Sequence, residues 1–111
     1  MKIQCECGHM IHDGTDGLGH KAHVIPDRRW NELTDAIDAA IETGEASARR
    51  EAAAMQLRVL LNDMARTAWQ CSECGRIYME NAERHLRSFR PEGEEDVHGI
   101  LSDGAKAGDF E

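Results

Sequence analysis

Apolar positions along this chain keep two different rhythms. Trp30, Leu33, Ile37, Ala40 and Ile41 fall three and four apart, which places them in one stripe over about four turns of a helix. Pro26 and Asp27 suit its start, because proline tolerates the first helical turn and an acid there favours the dipole. Gly44 suits its end, and Ser47 a cap for a second helix. Met55, Leu57, Val59, Leu60, Leu61, Met64 and Ala68 then wrap more than one face of that second helix. Such breadth predicts a partner helix on one side and the chain's own β module, or another subunit, on the other. The two helices, of about 18 and about 23 residues, would measure roughly 27 Å and 34 Å, so an antiparallel pair over about 26–68 carries the chain out and back.

Outside this span the rhythm shortens. Short alternating or apolar runs predict strands at about 2–4 and 9–13, a third at about 20–25, and strands near 76–79 and 85–90. Two of these runs leave closely similar turns. Cys5-Glu6-Cys7-Gly8-His9-Met10-Ile11 reads against Cys71-Ser72-Glu73-Cys74-Gly75-Arg76-Ile77-Tyr78 as cysteine, cysteine, glycine, a cationic or titratable residue and two apolar residues. Gly8 and Gly75 suit the positive φ that a sharp turn around a metal needs. Four thiolates in two close pairs match a tetrahedral structural zinc site, one ion per chain, with Cys5, Cys7, Cys71 and Cys74 as ligands.

On these residues the chain resembles the zinc ribbons, small β modules in which two such knuckles grip one zinc. The resemblance covers 1–25 and 69–91, and the first pair has one intervening residue where ribbons more often have two. It implies an α+β fold: a zinc-ribbon-like β module with an inserted antiparallel helical hairpin, forming a single domain over 1–91. Between the pairs lie 63 residues, Gly8 through Gln70. Closing such a loop costs about 4 kcal/mol plus a constant, against about 10 to 16 kcal/mol from a structural zinc, so metal binding should win. Cys-x-Cys followed by Cys-x-x-Cys also resembles the zinc centre of redox-switched chaperones. That likeness would make the same four cysteines sensors as well as ligands.

Composition narrows the class. The chain has 111 residues, 41% of them hydrophobic, and only five aromatic, which implies a modest aliphatic core. No apolar leader precedes Cys5 and no run reaches membrane-spanning length, so the expectation is a soluble cytoplasmic protein without membrane association. Paired cysteines in a reducing compartment favour metal over disulfides. The net charge of −8 is uneven: residues 92–111 hold seven acids and one base, a net of −6, leaving 14 acids and 12 bases, a net of −2, in the first 91. This acidic tail, whose one apolar cluster is Val97, Ile100 and Leu101, reads as a flexible solubilising extension, with a short docking motif or a nucleic-acid-mimicking surface as the alternative.

Enzymatic readings have little support. Four thiolates close the zinc shell that a catalytic site keeps open for water. The deaminase signature fails too, because Gln70 stands before Cys71 and no His-x-Glu motif precedes it. His9, His12, His20 and His23 crowd the first quarter, but on a strand residues three apart face opposite sides. Ordinary roles are therefore expected for them, with a second metal site as the alternative. Arg76, Arg84, Arg87 and Arg90 form the basic stretch, opposed by Glu73, Glu80, Glu83 and the tail. The leading expectation is thus a non-enzymatic zinc-binding protein-interaction module, such as an immunity protein or a phage-type inhibitor, with a homodimer through the helical hairpin as one arrangement. The alternatives are a nucleic-acid-binding regulator using those four arginines, and a redox-sensing zinc thiolate switch.

Overall fold

The computed structural model describes residues 1–42, 47–93 and 98–103. In chain order the elements are β1 (Lys2–Gln4), β2 (Met10–His12), β3 (Lys21–Val24), α1 (Asp27–Glu42), α2 (Ser47–Met64), β4 (Arg66–Gln70), β5 (Ile77–Glu80) and β6 (Leu86–Phe89). The fold class is α+β, with two helices and two small antiparallel sheets, ordered β1-β2 and β3-β4-β5-β6, among the described residues. The chain forms two compact units: Met1–His23 together with the residues from Arg66 onward, and Val24–Ala65.

In the first unit, β1 and β2 bury one face. Ile3 pairs with Ile11 across β1 and β2, while Lys2 and Gln4, one residue either side, are exposed, as the two-residue period of a strand requires. Trp69 pairs with Tyr78 across β4 and β5. These four side chains, with Cys5 and Cys71, make one buried cluster against which Cys74 packs. β6 lies at the sheet edge, with Tyr78 opposite Ser88 and Met79 opposite Arg87. Trp69 Nε1 donates to Asp13 Oδ2 at 2.8 Å, and the same carboxylate pairs with Lys21 Nζ at 3.0 Å, so a polar post ties β4 to the segments around β2 and β3.

The second unit is the helical hairpin. Asp27 opens α1 just after Pro26, whose carbonyl accepts the Arg29 N–H at 2.9 Å. Arg29 pairs with Glu32 on its own helix at 3.0 Å and with Asp63 on α2 at 3.1 Å. Both acids are largely exposed, so these pairs orient more than they stabilise. Leu33 is the buried residue of α1, whereas Trp30, Ile37 and Ile41 of the same predicted stripe stay exposed.

Two expectations are corrected by these elements. The second helix ends at Met64 and not near 68, because Arg66–Gln70 is strand β4, the residue run that brings Cys71 to its turn. The strand at Lys21–Val24 joins β4 in the larger sheet and does not extend the β1-β2 hairpin. Gly44, read as the first helix's end, and residues 94–97 and 104–111 of the acidic tail lie outside the described residues. Among the described residues, no helix is long and apolar enough to cross a membrane.

Candidate metal centre

Each cysteine pair sits in the turn of a two-stranded hairpin, and the two turns close in the same way. Cys5 N–H donates to the His9 carbonyl at 2.9 Å and Gly8 N–H returns to the Cys5 carbonyl at 2.9 Å. In the second turn Cys71 N–H donates to the Arg76 carbonyl at 2.8 Å and Gly75 N–H to the Cys71 carbonyl at 3.0 Å. Both glycines hold positive φ, 98° for Gly8 and 80° for Gly75, a region costly for residues with a Cβ. The shorter Cys-x-Cys spacing is absorbed by one residue fewer between the closing hydrogen bonds, so both turns present their sulfurs alike.

The four Sγ atoms of Cys5, Cys7, Cys71 and Cys74 all lie within 4.8 Å of one another, and could hold a metal ion. Sulfur–sulfur separations are 3.4 Å for Cys5 and Cys74 and 3.6 Å for Cys7 and Cys71. A tetrahedral ion with bonds of about 2.3 Å to sulfur has edges of about 3.8 Å, and these two separations lie within a few tenths of an ångström of that edge. Spacings of that size also exclude disulfide bonds, and all four thiols are free. Cys5 and Cys71 are buried, Cys74 is half-buried and Cys7 is exposed.

The surroundings favour negative sulfur unequally. Burial pushes the Cys5 thiol up, but donation from the Tyr78 hydroxyl, the Cys7 backbone N–H and the neighbouring thiols brings it down to about 6. At Cys7 the His9 backbone N–H favours the thiolate, yet desolvation and the other three sulfurs push the group up to about 12. Burial raises Cys71 against donation from the backbone N–H groups of Cys74 and Glu73. Without a cation, then, one thiolate suppresses ionisation of the next. A divalent ion removes that repulsion, and the backbone donors already aimed at sulfur are what a metal–thiolate centre uses for support.

Two side chains complete the shell. Arg76 donates to Cys74 Sγ at 3.6 Å and reaches Glu6 at 3.6 Å, and its contacts with the Cys74 and Cys5 sulfurs hold its guanidinium more firmly charged. The Tyr78 hydroxyl accepts the Glu6 backbone N–H at 3.1 Å while facing Cys5, and burial followed by that sulfur pushes its own ionisation up. Sequence reading placed Tyr78 only as an apolar strand residue. Its position four residues after Cys74 was the signal for more, since the strand leaving a knuckle folds back under the sulfurs.

The remaining candidate residues are dispersed. Of the basic stretch, Arg76 belongs to the sulfur cluster, Arg84 pairs with Glu80 at 3.6 Å, Arg87 is exposed on β6 and Arg90 is exposed beyond it. His9, His12 and His20 line a shallow cavity of about 280 Å³ with Gln70 and Ser72, where His20 Nε2 donates to the His12 carbonyl at 2.8 Å and His9 Nε2 lies 3.2 Å from Ser72 Oγ. His23 lies apart, beside Asp16 and Lys21. Among the described residues, the four cysteines are the group with metal-ligand geometry.

An α+β chain with a closed cluster of four cysteines belongs to the class of small proteins able to hold a metal at the meeting of two knuckles. The chain is a member of the family described as Domain of unknown function (DUF8617), whose model matches residues 1–93. Searches of the curated proteins and of the solved structures found no match.

Proposed function

We propose that the four cysteines bind one structural zinc ion per chain and that the protein is a non-enzymatic, cytoplasmic zinc-stapled module that acts by binding another protein. The observation that carries the zinc reading is the set of four sulfurs within 4.8 Å of one another with donors already aimed at them. Zinc is the common resident of such all-sulfur sites, and four thiolates leave no coordination position for a reacting water. The protein-binding reading rests on the helical hairpin, whose Trp30, Ile41, Met55 and Val59 are each more than half exposed on a chain of net charge −8. An acidic surface with apolar anchors suits occlusion of a basic partner, the mode of an immunity protein or inhibitor.

The nucleic-acid alternative has less support, since Arg76 faces the sulfurs and Arg84 pairs with Glu80. Titration of the protein against mixed DNA and RNA at low salt tests the choice. The module reading expects no binding, whereas binding that weakens steeply with added salt contradicts it. Elemental analysis of the same preparation is expected to give one zinc per chain, and a metal-free folded protein would contradict the reading at its base.

A further inference from the structure

We infer that the helical hairpin Val24–Ala65 is completed by the hairpin of a second copy of this chain, in an antiparallel four-helix bundle where α1 of each copy lies on α2 of the other. The inference goes beyond the protein-binding reading above: it gives the face with Trp30 and Ile41 to a second copy and leaves Met55 and Val59, on the other side, for a different protein. Two helices by themselves bury little here: of the hairpin's described apolar side chains larger than alanine, only Leu33 and Met64 are buried. The groove between the helices is lined by Ala36, Ala39, Ala40 and Ala53 with Leu57 and Leu60. Ala36 and Ala40, with Leu33, therefore face α2. At about 100° per residue, Trp30, Ile37 and Ile41 fall within an arc of about 40°, turned roughly 90° away from that inward line. By the same count Ala54 and Leu61 of α2 stand on this outer face. Trp30, Ile37, Ile41 and Leu61 are 51%, 38%, 76% and 38% exposed. This side of the hairpin thus presents an apolar stripe on α1, and on α2 Ala54 and Leu61 with Arg50 and Arg58 in the same arc.

Charge selects the occupant and its orientation. α1 carries five acids and two arginines, a net of −3, while α2 carries three arginines and two acids, a net of +1. Laying α1 on its own copy would oppose two acidic helices. A two-fold axis along the helices instead puts each acidic α1 on a basic α2, and makes every neighbouring pair antiparallel with favourably opposed dipoles. The complement this face needs, an apolar and weakly basic antiparallel helix, is what the chain itself supplies. Helices of 16 and 18 residues are about 24 Å and 27 Å long. Side by side they offer roughly 500 Å² per copy, near the lower limit of about 1,000 Å² in total for a specific interface.

The test is sedimentation equilibrium of the zinc-loaded full chain at about 100 μM, where a micromolar dimer is saturated. The expected mass is twice the monomer's 12.4 kDa. The double variant Ile37→Asp/Ile41→Asp is expected to sediment as a monomer with unchanged helical circular dichroism, its dissociation constant raised at least about 100-fold. Met55→Asp/Val59→Asp, on the opposite side of the hairpin, is expected to stay dimeric. A monomeric native chain overturns the inference and gives the face to a different protein, and so does an Ile37/Ile41 variant that remains dimeric. Zinc is counted in the same samples: a zinc-loaded monomer defeats the dimer alone, while a zinc-free dimer defeats the metal reading alone.

Discussion

Tyr78 shows how much a single side chain carries in so small a core. Its hydroxyl stands between the Glu6 N–H and the Cys5 sulfur, and its ring belongs to the buried cluster with Ile3, Ile11 and Trp69. Tyr78→Phe keeps the ring and removes both hydrogen bonds. The variant is expected to lose about 1 to 2 kcal/mol in denaturant unfolding while retaining its metal, and an unchanged midpoint would contradict the supporting role. Gly8 carries a different constraint. A Cβ built there meets nothing within 4 Å, yet φ is 98°. Gly8→Ala is therefore expected to cost about 1 to 2 kcal/mol through backbone strain alone, read in the same unfolding measurement; no loss would show that the turn adapts. Arg76, read as a nucleic-acid contact, lies against the Cys74 sulfur, where its charge would offset the net negative charge that four thiolates around a divalent ion would leave.

At the scale of elements, the two hairpin turns were legible and one strand was not. Cysteine pairs followed by glycine mark a metal turn because few other structures need both at once, and the strands leaving them follow from Met10-Ile11 and Ile77-Tyr78. β4 was hidden because Met64 and Ala68 keep helical spacing and no glycine or proline intervenes between them. The change to strand comes from tertiary pairing, with Trp69 opposite Tyr78, which outweighs local propensity. The partner of β3 was illegible for the same reason. Asp13 holds that sheet from the side. Lys21, then the Trp69 indole N–H, keep its carboxyl below the usual carboxylate range. A lowered folded value means that this stabilisation is fully present above the ordinary pKa of about 4 and is lost as pH falls through it towards the lowered value. Stability curves measured between neutral and acid pH are expected to drop more steeply for the native chain than for Asp13→Asn in that window. Parallel curves would remove Asp13 from the account.

For the whole molecule, the central physical fact is that residues 5–7 and 71–74, separated in sequence by the helical hairpin, meet at four sulfurs. That closure was legible from cysteine spacing and an even number of helices. The hairpin's exposed stripe was not, because periodicity identifies an apolar face without saying what covers it. A core of so few buried side chains derives little from area, and a structural ion worth about 10 to 16 kcal/mol would exceed the whole stability of about 5 to 15 kcal/mol typical of a domain.

Removal of the ion is the most direct measurement. Metal is stripped from the reduced protein with a strong chelator and the near-ultraviolet circular dichroism of buried Trp69 and Tyr78 is followed, before and after zinc is returned. The account predicts that the aromatic signal collapses on stripping and recovers with one equivalent of zinc. A signal and a melting temperature unchanged by complete metal removal would contradict it.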